Sequence, residues 1–128
     1  MRARTLPLVL LALLTIGTTA TLYADRRSDA KEQVEFGITM ANKGLWTEAT
    51  SRWEKAIEID PTYSAAQLWL AQVMAWGGDE PESWRRYAAG ALASPDSLPL
   101  RDRAVADGLL ALSQQRFLEG FVKFVVLV

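Results

Sequence analysis

Apolar and polar positions alternate with helical spacing along most of this chain. Within residues 47–59, apolar or small side chains fall at Ala49, Trp53, Ala56 and Ile57. These positions form the i, i+4, i+7, i+8 stripe of an amphipathic helix. No stretch of useful length alternates with a period of two, so the pattern predicts an all-α protein without β-strands.

A first helix is predicted immediately upstream of this one. Ser28 or Asp29 is a suitable N-cap for it, and apolar spacing begins at Val34. Gly44 is placed to take the left-handed conformation that ends many helices. The second helix is expected to stop before Pro61, because proline pushes the residue before it out of helical geometry.

A shift of 34 residues aligns the chain with itself and gives seven identical pairs. A third copy follows if three residues are inserted in the loop after the second copy. We therefore expect repeat units at about 30–63, 64–97 and, degenerate and incomplete, 98–128. The identical pairs are Gln33 with Gln67, Met40 with Met74, Ala41 with Ala75, Gly44 with Gly78, Glu48 with Glu82, Arg52 with Arg86, and Pro61 with Pro95.

The first copy resembles the tetratricopeptide repeat, with "EA" at Glu48-Ala49 and "AIEIDP" at 56–61. The resemblance covers about residues 29–128. It implies tandem antiparallel helical hairpins in a right-handed superhelical stack, following an N-terminal hydrophobic helix. About three stacked repeats are needed for stability, because one hairpin cannot bury its apolar face alone.

The repeated positions have a physical interpretation. Small residues such as Gly37 and Ala49 are expected where the two helices of a hairpin cross. Large residues such as Trp53 are expected to fill the space between hairpins, and Trp46 and Trp53 are both predicted to pack the helices together. The structural repeat positions are Gly37, Gly44, Ala49, Trp53, Pro61, Ala71, Gly78, Ser83, Tyr87, Pro95, Gly108, Gly120 and Phe124.

The first 24 residues are predicted to be a targeting segment. Arg2 and Arg4 precede an uncharged run that lasts until Asp25. Residues 1–24 are either a signal peptide or an uncleaved anchor, since residues 5–24 are just long enough to cross a bilayer at ~1.5 Å per residue. Residues 25–29 are expected to be a linker. Both alternatives place the repeat domain outside the cytoplasm, in the cell envelope.

Composition excludes several chemistries. The chain contains no cysteine and no histidine, which rules out disulfides, zinc sites built on those residues and imidazole-based catalytic triads. The net charge of −1 is a poor electrostatic footprint for nucleic acid. We expect no catalysis, no cofactor and no metal.

The resemblance implies that the first helices of the units line a concave groove that binds a peptide or a helix. This predicts a mainly apolar protein-interaction site, in which Trp69 and Trp76 either contact the ligand or simply pack. Two alternatives stay open: a self-assembling element that uses the apolar C-terminal "FLEGFVKFVVLV", or a remnant of a larger array. The predicted groove residues are Val34, Ile38, Leu68, Trp69, Gln72, Val105 and Leu109.

Overall fold

The computed structural model describes residues 6–94, 98–116, 121–123 and 125, with side chains from Thr19 onward. The prediction of an all-α protein is confirmed, because these residues contain helices and no β-strand. The five helices with defined bounds are α1 (Leu6–Asn42), α2 (Trp46–Ile59), α3 (Ser64–Gly77), α4 (Pro81–Ala93) and α5 (Leu100–Ser113).

Consecutive helices pack against each other in chain order. The α1–α2 and α3–α4 pairs have the most extensive contacts, and α3 also touches α1 and α5. Two apolar clusters result, one among α1, α2 and α3 and the other among α3, α4 and α5. Tyr87, only partly buried, packs against both clusters and so connects them.

The turns that end α1, α3 and α5 share one backbone geometry. Gly44 and Gly78 have φ values of 77° and 85°, as the helix-ending role of Gly44 predicted, and Gln115 adopts the same region with φ 59°. In each turn the next amide donates to a carbonyl five residues earlier, which is the Schellman pattern. These bonds are Leu45 N to Met40 O (3.0 Å), Asp79 N to Met74 O (3.0 Å) and Arg116 N to Ala111 O (2.9 Å).

Trp53 is fully buried and joins three helices. Its indole Nε1 donates to the carbonyl of Val34 in α1 at 3.3 Å. The Trp53 ring occupies the space that a side chain at residue 37 would need, since a Cβ added to Gly37 would be 2.4 Å from Nε1. On α3, the Trp69 ring stacks against Trp53 with centroids 5.1 Å apart and planes inclined by 15°. Trp53 therefore packs α1, α2 and α3 together.

Most of the other repeat positions occupy the places expected of them. Gly37, Ala49, Ala71 and Gly108 are buried. Ser83 is partly buried and its hydroxyl donates to Glu80 O at 2.6 Å. Helix α2 ends at Ile59, just before Asp60 and the exposed Pro61. Pro95, Gly120 and Phe124 lie outside the described residues.

The prediction that Trp46 packs the hairpin is wrong. Its side chain is 49% exposed. Trp46 is the first residue of α2, at the hairpin end where α1 has already terminated, so no neighbouring turn covers it. Trp76 is 67% exposed for the same reason, because it lies one residue before the end of α3.

The linker expected at residues 25–29 is instead part of α1, and no helix begins at Ser28 or Asp29. The segment contains neither glycine nor proline to interrupt a helix. It also has packing partners: Ala30 is fully buried, and Arg26 Nε donates to Ile59 O at 3.2 Å. Ser28 and Asp29 lie inside α1, where a side chain cannot cap a helix end.

Among the residues whose placement is described, no helix meets the length and apolarity needed to cross a membrane. Residues 1–5, and the side chains of residues 6–18, lie outside the described part. Export or anchoring through residues 1–24 therefore stays a prediction.

We predict that Gly37→Ala destabilises the fold by about 1–3 kcal/mol, because the new methyl group collides with the buried Trp53 indole. Gly77→Ala is the matched control, since a Cβ at this helical residue meets nothing within 4 Å. It should stabilise by about 0.5–1 kcal/mol. Urea unfolding at constant m-value measures both changes. Equal effects of the two substitutions would contradict the close approach at Gly37.

Gln115→Gly should raise stability by about 1 kcal/mol, because a side chain is disfavoured in the left-handed conformation. Gln114 is the control: its φ of −96° suits any residue, so Gln114→Gly should be neutral or destabilising by up to about 1 kcal/mol. The midpoint of urea unfolding distinguishes these outcomes. A loss of stability on Gln115→Gly would show that this turn does not carry the strain we assign to it.

Candidate functional site

A cleft of about 280 Å³ lies between α3 and α5 and is referred to here as the α3–α5 cleft. It contains four of the seven predicted groove residues. Two charged residues of α5 stand beside them. The cleft is lined by Ala65, Leu68, Trp69, Gln72, Arg101, Asp102 and Val105.

Helical spacing explains why these residues meet. On α3, the lining residues are spaced i, i+3, i+4 and i+7 from Ala65, which places them on one face. On α5, Val105 lies one turn after Arg101, on the side turned toward α3. The two faces form a cleft whose walls are apolar except for the Gln72 amide and the α5 charges.

Trp69 has two roles in this arrangement. One contact is the stack on Trp53 described above, and Trp69 also lines the cleft. The two alternatives considered for it, packing and ligand contact, are therefore compatible. Trp76 is exposed and does not line this cleft.

Three of the predicted groove residues face the core instead. Val34 is 4% exposed and Leu109 is 2% exposed, so neither is accessible to a ligand. Ile38 is partly buried and packs against the first apolar cluster. None of these three side chains lines the α3–α5 cleft, so their predicted contact with a ligand has no support from its geometry.

A second depression of about 390 Å³ continues the cleft toward α1. The two share Ala65 and Asp102, and we call them together the extended groove. Sequence reasoning missed the further residues because Arg27 falls in the segment predicted to be a linker, and the others lie at the start of α3 or in the connections that precede α3 and α5. The additional lining residues are Arg27, Tyr63, Ser64, Leu98 and Pro99.

An ion pair fixes the α1 wall of the extended groove. Arg27 Nε lies 3.0 Å from Oδ2 of the buried Asp60. The other carboxylate oxygen, Oδ1, accepts hydrogen bonds from Thr62 N at 3.0 Å and from Thr62 Oγ1 at 2.8 Å. The Arg27 guanidinium also lies over the Tyr63 ring, 5.1 Å from its centroid, at cation–π distance. These two contacts hold the Arg27 side chain in place along the extended groove.

The chemistry of the extended groove suits recognition of another chain. Trp69 and Val105, which are only partly buried, offer apolar surface, and Gln72 can both donate and accept hydrogen bonds. Leu68 lines the cleft but is 4% exposed. Within the described residues, no group of three Asp or Glu side chains is placed to hold a metal ion. A larger depression of about 710 Å³ lies between α1 and α2, where the Arg52 guanidinium covers the Phe36 ring at 4.5 Å.

We predict that Arg27→Met and Asp60→Asn are strongly coupled. Arg27→Met leaves a buried carboxylate without its cation and should cost about 1–3 kcal/mol, less than for a fully buried pair because Arg27 is partly exposed. The double variant should cost at least about 1 kcal/mol less than the sum of the single variants. Urea unfolding of all four proteins measures the coupling. Simple additivity would show that the ion pair does not fix α1.

No family model, no curated protein and no solved structure matches this chain. The 34-residue periodicity therefore rests on the chain's own residues. The chain's membership of a repeat family stays a proposal.

Proposed function

We propose that this chain is a non-catalytic protein-interaction module that binds a peptide or an amphipathic helix in the extended groove. The observation that carries the proposal is the α3–α5 cleft, in which Leu68, Trp69, Gln72 and Val105 line one cavity. The partner is another protein. No nucleic acid, cofactor or metal is part of the proposal.

A tetratricopeptide-like right-handed stack is the architecture we propose for the module. Its support is the shared turn geometry at Gly44, Gly78 and Gln115, which are spaced by 34 residues and then by 37. The extra three residues correspond to the insertion that aligns the third copy. The first helices of the successive units would then lie side by side and form the groove.

The composition of the groove favours a partner with apolar side chains and an exposed backbone. A bound apolar side chain would be covered by Trp69 and Val105, which removes apolar surface from water. The Gln72 amide would pair with a backbone group of the partner, since a peptide group that loses water needs a replacement hydrogen bond. Arg101 and Asp102 at the rim would fix the direction of the peptide.

We propose a location in the cell envelope, with the groove outside the cytoplasm. The support is the hydrophobic segment after Arg2 and Arg4, acting as a cleaved signal or as an anchor.

A displayed library of 12-residue peptides, selected against the full chain in detergent, tests groove binding. We expect selected peptides to be rich in apolar residues, and Val105→Arg to weaken them at least about tenfold by placing a charge in the cleft. Ser51→Arg is the matched control, because it adds the same charge to the depression between α1 and α2. Equal affinities for the two variants, with both folded, would exclude the extended groove as the binding site.

A second candidate function is self-assembly. Phe121, Val122 and Val125 are 63%, 50% and 49% exposed. Apolar side chains grouped on a protein surface commonly mark an interaction site. This candidate does not need the groove, and the two functions use different residues.

A further inference from the structure

The side of α5 that faces away from α3 carries its own surface. Leu100 is 85% exposed there, and Arg103, Ala104 and Asp107 follow at i+3, i+4 and i+7. Val122 and Lys123 border the same depression, whose volume is about 400 Å³. These six residues are called the α5 outer face.

Two of the three charged residues of this face, Arg103 and Asp107, lie one turn apart on α5 and carry opposite charges. Neither Arg103 nor Asp107 forms a side-chain ion pair with any residue that the structure describes. In contrast, Arg85 pairs with Glu82 at 2.8 Å and also binds Ser113. The order Arg then Asp at i, i+4 is also the less favourable one for an ion pair within a single helix.

We propose that a second copy of the chain packs on the α5 outer face, antiparallel and about a two-fold axis. In such a contact, residue i meets residue j while j meets i. Arg103 would then face Asp107 of the second copy, and Asp107 would face its Arg103. Ala104 lies between them near the axis, and its small side chain lets the helices approach to about 8 Å.

Charge complementarity is what favours a second copy as the occupant. Arg103 and Asp107 carry opposite charges one turn apart and have no ion-pair partner among the described residues, and a two-fold contact would pair each with its opposite on the second copy. Lys123, the third charged residue of the face, is not part of this pairing. Leu100 and Val122 would lose exposed apolar surface in the same contact. The interface rests on the self-assembling function proposed above and is independent of groove binding.

Charge reversal tests the pairing directly. Arg103→Asp places Asp against Asp in the dimer, and Asp107→Arg places Arg against Arg, so each variant alone should dimerise at least about tenfold more weakly. An equimolar mixture of the two variants should dimerise again, because each opposing pair then contains one acid and one base. Sedimentation equilibrium of the full chain in density-matched detergent measures these constants.

A cross-linking experiment gives a second measurement. The chain lacks cysteine, so Ala104→Cys introduces a single thiol near the proposed axis, within the range of a disulfide. It should form covalent dimers on mild oxidation, whereas the exposed Ser51→Cys should not.

The outcomes separate the interface from self-assembly in general. A monomer at every concentration would overturn both the α5 interface and self-assembly through any surface. An oligomer that neither single charge reversal weakens, or that the mixture fails to restore, would overturn this interface and leave self-assembly through another surface. Failure of groove binding would affect neither result.

Discussion

The contact between Trp53 and Gly37 is the constraint on which the rest of the structure depends. Because Gly37 has no side chain, the indole can lie directly against α1 and donate to the Val34 carbonyl. Trp69 of α3 stacks on the same ring. One side chain of α2 therefore fixes α1 and α3 at once. Trp69 also lines the α3–α5 cleft, so the shape of the cleft depends on a contact made in the first hairpin.

The sequence predicted the turns and crossings well because they depend on local backbone geometry. Gly44 ends α1 as expected, and Gly37, Ala71 and Gly108 are buried where small residues were needed. Gln115 shows that the tertiary arrangement can override residue preference. Its turn retains the Schellman hydrogen bonds, which hold a glutamine in a conformation that normally favours glycine.

The errors in prediction share one physical cause. Periodicity shows that a helix has apolar positions, but not which neighbour each of them contacts or where that neighbour ends. Trp46 and Trp53 are seven residues apart on one face, yet only Trp53 has α1 alongside it. Val34 and Leu109 are buried in the two apolar clusters, whereas Trp69 and Val105 pack against the same clusters but are only partly buried and so also line the cleft. The groove contribution of Arg27 depends on an ion pair with Asp60, 33 residues away, which spacing cannot reveal.

Helix α5 connects the two proposed surfaces. Successive helical residues are separated by about 100°, so Arg103 and Asp107, each two positions from Val105, lie about 160° around the helix from it. A partner in the groove and a second copy on the outer face can therefore bind to one helix without competing for side chains. Dimerisation would in addition restrain α5, which is otherwise held by packing against α3 and α4 and by the Arg85–Ser113 hydrogen bonds.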